Sequence, residues 1–543
     1  MIRGALPGKR RHIDKRETLL YNFKNFYFQI LDQEETMKKW LMVLLAICVL
    51  MPVFARGSSD TGRPAAAVPQ DFIFGVDDGP AGLDPHMNTA FASIRVHKNI
   101  FSKLVMQDEN MNYIPDLAER WVEGPGDTYT FYLRRGVKFH NGREMVADDV
   151  VYSYNRMMDP NIGSVARAYF AKVEKVEALD NYTVKFTLSG PDATFLLYVT
   201  SNYSAIIPKE AVEQYGDLNN VPIGTGPFKF KEHIPGNRVV LERNPDYFIP
   251  GEPKLSTVTF AIMPDESTRL NALRTGAIHL ATLPPSMLPL VSGNNDIVVR
   301  EFGSGNYDYL GFNLDIAPFS DVRVRQAISL LVDRQEIKDT IYDGYAQITG
   351  PVPITMTKWA VSVANNEFYT PNVERARTLL REAGYPNGFD MKITAGITRQ
   401  TTQVAELIVS QLARGGIRAE IEMMETAQYV AAWRARTHQT MIGSNGGGAD
   451  PDRSIGLFFQ STSGTNVWGY KNARVDELSD AGRLETNESR RFTIYQEAQN
   501  IVLRELPNLF LVTPSSFQFL RSNVDGYIAS TYYYEYFLGV SLK

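Results

Sequence analysis

The sequence predicts an α/β protein of two or three domains, on three observations. A chain of 543 residues is too long for one hydrophobic core. From Asn306 onward, segments of strand character alternate with amphipathic helical ones, the pattern of an α/β lobe. Hydrophobic content of 44% with 22% charged residues is ordinary for a soluble globular protein.

The first elements set the compartment. Met37-Lys38-Lys39 makes a second, better start than Met1: a short basic stretch followed by an almost wholly apolar run from Trp40 to Val53. Val53-Phe54-Ala55 then puts small residues at −3 and −1 of a cleavage point after Ala55, the pattern of a secretory signal peptide. The apolar run, about 14 residues, falls short of the roughly 20 that a transmembrane helix needs. The expected location is therefore periplasmic or otherwise extracytoplasmic. Cys48, the single cysteine, lies inside this run behind Ile47, where lipidation would require a small residue. The mature chain is thus expected to carry no disulfide, thiolate nucleophile or Cys-ligated zinc. Residues 56–70, rich in Gly, Ser, Ala and Pro, read as a flexible tether.

Phe72, Phe74 and Val76 alternate as a first strand. Between residues 117 and 160, Tyr129, Phe131 and Leu133 alternate with Thr130, Tyr132 and Arg134, a half-buried strand. Gly136 breaks it and Asn141-Gly142 makes a tight turn. Asp148-Asp149 open a helix with an acidic first turn, with Val151, Tyr154 and Met158 at helical spacing. Gly224, Gly226 and Pro227 mark a backbone turn, and no Gly-Lys-Ser/Thr follows to make a phosphate loop. Tyr309 to Asn313 reads as a strand. After it, Asp321 opens a helix with Val324, Ile328 and Leu331 on one face. Glu374 to Ala383 forms another, with Ala376, Leu379, Leu380 and Ala383 inward, ended by Gly384 and Pro386. A third runs through Val404, Leu407, Ile408, Gln411 and Leu412 to Gly415-Gly416. The aromatic tail, Tyr532 to Phe537, is too apolar for a disordered end and is expected to pack back on the first lobe.

Charge and motif content exclude several functions. Residues 1–55 hold nine Lys and Arg and five Asp and Glu. The remainder carries 47 basic against 56 acidic groups, a net charge of about −9, which argues against nucleic acid or anionic lipid as partner. The seven histidines include no pair at i, i+3 or i+4 and no HExxH, so metal ligation on a helix has no support and no metal or cofactor is expected. No GxSxG elbow is present. A secreted hydrolase is the rival from another class; it would need converging carboxylates in a cleft.

The wording of residues 117–160, W…YTF-x-LR-x-GVKFHNG…A-x-DVVYS, closely resembles the signature of the family 5 extracellular solute-binding proteins, the dipeptide and oligopeptide receptors of ABC importers. Ala81-Gly-Leu-Asp-Pro85, Ala205-Ile-Ile-Pro-Lys-Glu-Ala211, Val221-Pro-Ile-Gly-Thr-Gly-Pro-Phe228 and Val239-Val-Leu-Glu-Arg-Asn-Pro-Asp-Tyr247 resemble further family segments, so the likeness spans roughly residues 70–543. Gly276-Ala-Ile-His279 departs from the family's Gly-Glu-Ile-Asp. The resemblance implies the two-lobed periplasmic binding protein fold, class II, of the large three-subdomain type, with a hinge between the lobes. Lobe I would comprise approximately 70–100, 210–300 and 510–543, an inserted subdomain 100–210, and lobe II 300–510. It implies a monomer without enzymatic activity that captures a small solute, an oligopeptide or alternatively an oligosaccharide or other neutral solute, and delivers it to ABC permease transmembrane subunits.

The expected ligand-binding loop lies in residues 441–452, Met441-Ile-Gly-Ser-Asn-Gly-Gly-Gly-Ala-Asp-Pro-Asp452. Consecutive glycines let a ligand approach the backbone, and Asn445 both donates and accepts. Ser444, Asn445, Gly446 and Gly447 are the candidates here. Aligned on the family, Gly447 stands where peptide-binding members carry an aspartate for the peptide amine, and Ser444 where they often carry Trp. Arg399 lies roughly where dipeptide-binding members place a carboxylate-holding Arg, and an exposed structural Arg is the equal alternative. Tyr429 sits at a position aromatic in peptide binders, with core packing as its alternative. Trp433 and Trp468 are looser candidates.

Overall fold

The computed structural model describes residues 68–543, apart from 89, 126, 447 and 532–534 and the side chains of 165, 399, 426 and 427. The signal-peptide cleavage point after Ala55, Cys48, and most of the expected tether lie outside the described residues. The end of that tether does not hang free. Gln70 exchanges side-chain hydrogen bonds with the backbone of Leu542, both at 2.9 Å, and its carbonyl accepts from Ser256 at 2.7 Å. Backbone polar groups this close to a sheet edge must be paired, and Gln70 supplies the partners.

Three sheets organise the chain. The largest has eight strands. Seven run, in order across it, Ile297–Gly303, Val512–Arg521, Leu280–Thr282, Asp71–Val76, Thr257–Ile262, Arg238–Arg243 and Phe228–Ile234; Ala346–Ile348 pairs with Val512–Arg521 off this path. Asp71–Val76 is parallel to both neighbours, and its alternation buries Phe72 and Phe74 against Phe537 of the tail, with ring centroids 5.0 and 6.2 Å away. A five-stranded sheet runs Arg418–Met424, Asp390–Gly396, Thr440–Gly446, Asn306–Phe312 and Asn508–Phe510. A four-stranded antiparallel sheet runs Ala118–Gly124, Thr128–Leu133, Thr183–Leu188 and Val173–Asp180. The strand Ala346–Ile348 belongs to the segment expected in the second lobe, yet it pairs with the sheet of the first.

The four-stranded sheet has a core of its own. Phe131 meets Phe186 edge-on at 5.4 Å and Tyr154, from the helix Ala147–Met158, meets Phe186 at 4.7 Å. The Asp149 carboxylate accepts from the Val146 backbone N–H at 2.9 Å and so holds the helix start. The buried face of this helix is centred on Val150, Ser153, Tyr154 and Met157. Val151 and Met158 are only half-buried, a rotation of one residue from the spacing read in sequence. Both still pack on the edge of the same core.

The motif at Gly224 and Gly226 is explained by a close approach. A Cβ at Gly224 would lie 2.2 Å from the Ile100 carbonyl oxygen, and one at Gly226 2.5 Å from the Ile100 carbonyl carbon. The Gly226 N–H donates to that same oxygen at 2.8 Å. These glycines therefore seat the loop on the end of the helix Phe91–Ile100.

Two of the places where the chain passes between the two larger sheets are neighbours, residues 303–306 and 510–512. There Ser304 N–H donates to Pro514 O and Leu511 N–H to Asp308 O, both at 2.9 Å. Paired crossing strands of this kind make a hinge about which lobes can rotate. Among the described residues, no helix is long and apolar enough to cross a membrane.

Candidate ligand-binding cavity

A cavity of about 660 Å³ opens between the two larger sheets and the four-stranded subdomain. Phe74 to Asp77, at the C-terminal end of the first strand, form one wall, and Arg95 and Lys98 of the following helix project beside them. Tyr169, Tyr198 and Tyr203 come from the four-stranded subdomain. Gly446, Gly448 and Arg453 come from the end of Thr440–Gly446 and the turn after it. The crossing residues Ser304 to Asn306, with Ser516 and Gln518, close the back. Ligand sites in α/β sheets form at the carboxyl ends of strands, and Asp71–Val76 and Thr440–Gly446 present that end here.

Tyr169 and Tyr198 stack with centroids 4.5 Å apart and rings 4° from parallel. Burial pushes the Tyr198 hydroxyl up to about 12, with the Asp450 and Asp452 charges adding to it. Arg95 donates from Nε to Glu535 at 3.2 Å and approaches Asp77 at 3.4 Å. Lys103 gives its ammonium to the Thr200 carbonyl at 2.8 Å and to Asn202 Oδ1 at 3.4 Å. Burial lowers the Lys103 pKa and raises that of the facing Asp116. Arg453 Nη1 donates to the Tyr169 hydroxyl at 3.4 Å, spanning the cleft from one lobe to the subdomain opposite.

The sequence-derived candidates divide. Gly446 lines the cavity. Asn445, its neighbour in an alternating strand, is 6% exposed and turns inward, where its Nδ2 donates to the Tyr307 hydroxyl at 3.1 Å. Ser444 is exposed, opposite Asp308 in the strand register, and does not line the cavity. Tyr429 donates its hydroxyl to the Ile442 carbonyl at 2.8 Å and also lies off the cavity wall. Arg399 opens the helix Arg399–Ala413; its side chain, and Gly447, lie outside the described residues. Trp468 is fully buried, edge-on to Tyr309 at 5.2 Å, and Trp433 packs in the same cluster. Sequence reasoning missed Arg453 and the tyrosine pair. The available signal was a basic residue directly after Asp450-Pro451-Asp452, whose two carboxylates are taken by Arg491 and Arg483. Among the described residues, no group of three or more His, Cys, Asp or Glu is placed to hold a metal ion.

A cavity between hinged α/β lobes, walled by aromatic rings and backbone, defines a solute-binding receptor. The chain matches the family Bacterial extracellular solute-binding proteins, family 5 Middle, over residues 112–466, and it belongs to that family, the receptors that serve ABC importers. It is similar to Di/tripeptide-binding protein 1 of Pseudomonas aeruginosa, at 29% identity over 88% of this chain and 96% of that one. It is 30% identical to the glutathione-binding protein GsiB of Salmonella choleraesuis over 87% of this chain and 94% of that one. Among solved structures it resembles the ABC transporter-associated periplasmic binding protein DppA of Helicobacter pylori in complex with the peptide STSA. The TM-score is 0.73 and the identity 30%, over 87% of this chain and 98% of that one. The fold is the two-lobed α/β architecture expected from the sequence.

Proposed function

We propose that the protein captures a short peptide or peptide-like solute in the interlobe cavity and hands it, lobes closed, to a membrane permease, without transforming it. One observation carries this reading: a cavity of about 660 Å³ receives walls from both larger sheets and from the helical segments of the four-stranded subdomain, so only the closed arrangement presents the complete site. That volume lies within the roughly 300–1,000 Å³ usual for small-ligand sites. The relatives named for di- and tripeptides and glutathione support the peptide class.

The proposed lobes follow the sheets: residues near 70–100, 210–300 and 510–543 as lobe I, 100–210 as the inserted subdomain, and 300–510 as lobe II. The protein reaches its compartment through the signal peptide ending at Ala55. In the site we place Gly446 on the wall, while Ser444, Asn445 and Tyr429 support the strand beneath.

Calorimetric titration of the mature protein with di-, tri- and tetrapeptides, and in parallel with oligosaccharides, tests the reading. Saturable binding of a peptide is the expected result. Binding of an oligosaccharide alone would sink the peptide assignment, and turnover of either would sink the receptor role.

A further inference from the structure

We infer that the interlobe cavity selects a carboxylate-bearing solute of net negative charge, and that Arg453 is the residue that takes its carboxylate. The inference rests on the reading of this cavity as the ligand site and goes further by fixing the charge of what enters.

The charged side chains of the cavity wall are Asp77, Glu535, Arg95, Lys98, Lys103 and Arg453. Both carboxylates are engaged by the single guanidinium of Arg95. Four cations therefore face two acids across this wall, an excess of positive charge before Asp116, behind Lys103, is counted. Burial lowers the pKa of Lys98 and of Lys103, and the charge of Glu535 offsets the effect at Lys98. Asp116 compensates Lys103 in part from behind.

Arg453 is the least compensated of the set. The two acids nearest it in sequence are taken: Asp450 by Arg491 at 2.6 Å and Asp452 by Arg483 at 2.9 Å. Its Nε is buried and has no hydrogen-bond partner among the described residues, and Nη1 has only the long contact to the Tyr169 hydroxyl. A buried donor left unmade costs free energy that an incoming acceptor offsets. The planar fork of guanidinium matches a carboxylate in bidentate fashion, which an ammonium cannot do.

The loop is shaped for this side chain. Gly448 has φ +61°, and a Cβ there would lie 2.8 Å from Arg453 Cδ and 3.1 Å from Nε. The arginine stem thus lies against bare backbone, and Gly448 makes room for Arg453.

The test uses three tripeptides of matched size, Ala-Glu-Ala, Ala-Gln-Ala and Ala-Lys-Ala, titrated calorimetrically into the full mature chain and into Arg453→Gln and Arg453→Lys. The glutamate peptide is expected to bind at least tenfold more tightly than the glutamine one, with the lysine peptide weakest. Arg453→Gln should abolish that ratio while its melting temperature stays close to wild type, and Arg453→Lys should restore part of it. Equal or tighter binding of the neutral or basic peptide, or a ratio unchanged in Arg453→Gln, overturns the inference. Should no tripeptide bind, glutarate and citrate are titrated against lactose. Carboxylate binding that Arg453→Gln removes would keep this inference and sink the peptide reading. Binding of lactose alone, or of no anion at all, would overturn both.

Discussion

Asp450 takes both terminal nitrogens of Arg491, at 2.6 and 2.9 Å, in an interior where the two side chains are 5% and 6% exposed. The pair joins the turn behind the glycine loop to the long helix Glu488–Glu505. Arg491 is held further by the Gly482 carbonyl at 2.7 Å and by the Trp359 and Tyr495 rings. The cavity wall at Gly446 and Gly448 is therefore anchored from below by charge.

Removing one partner of such a pair strands the other. Asp450→Ala is expected to destabilise the protein by about 3–5 kcal/mol, because the guanidinium stays buried without its counter-charge. Urea denaturation followed by tryptophan fluorescence measures it. The double variant Asp450→Leu with Arg491→Met should cost less than either single change, since no uncompensated charge remains. A sum of the two single effects would mean that the pair does not act as a unit.

Gly448→Ala tests the backbone of the loop. At φ +61° an L-residue costs about 1–2 kcal/mol, and its Cβ displaces Arg453. Stability should fall by that order and affinity for the bound solute should fall with it. Gly464→Ala is the control: its Cβ meets nothing within 4 Å, and a change within about 0.5 kcal/mol is expected there.

Much of the fold was legible before folding was considered, but of the site only the glycine segment was, and the illegible part has a physical cause. Period-2 alternation in Thr128–Leu133 and the motif at Gly224 each encode a local constraint, so residue order carries them. The segment around Gly446 was found through its glycines. Which of its residues reach the cavity depends on strand pairing: Asn445 turns to Tyr307, across 138 positions of chain. The partnership of Arg453 with Tyr169 spans 284 positions and two lobes, and no local pattern records it.

Two buried histidines predict acid sensitivity. Arg156 Nη1 donates to His86 Nδ1 at 2.9 Å, while His86 Nε2 meets the Ala205 carbonyl at 2.9 Å. Gly224 N–H donates to His140 Nδ1 at 3.3 Å, while Nε2 meets the Gly226 carbonyl at 3.1 Å. Both patterns require the neutral ring. Burial pushes each pKa down to about 4. The unfolded chain, titrating near 6.5, therefore holds more protons between pH 6.5 and 4, and stability falls as pH falls through that window. The loss at pH 5 is about 2 kcal/mol for each histidine. Asp116, its carboxyl raised by burial, pulls the opposite way. The expected outcome is therefore a difference: His140→Gln should flatten the slope of stability between pH 7 and 5 by about that amount. An unchanged slope would show that His140 is already charged in the folded protein.

Closure is the last prediction, and its contacts are already made in this structure. The Ala193 N–H donates to the Arg483 carbonyl at 2.9 Å, and Lys358 Nζ reaches Asn112 Oδ1 at 3.4 Å. Both contacts join the four-stranded subdomain to the lobe of the five-stranded sheet. Rotation of the lobes about the crossings at 303–306 and 510–512 would part the Ala193–Arg483 contact and expose the cavity. Ligand, touching both walls, should favour the closed state and stabilise the fold by roughly 2.7 kcal/mol at about 100 times its dissociation constant. Small-angle scattering of ligand-free protein should accordingly give a larger radius of gyration than protein saturated with the tightest tripeptide. Lys358→Ala should widen that difference by removing a contact between the subdomain and the lobe, at a cost of less than about 1 kcal/mol, as for a partly exposed pair. A tight ligand that stabilises the protein yet leaves the radius of gyration unchanged would mean that the free protein is already closed and that solute enters without rotation of the lobes.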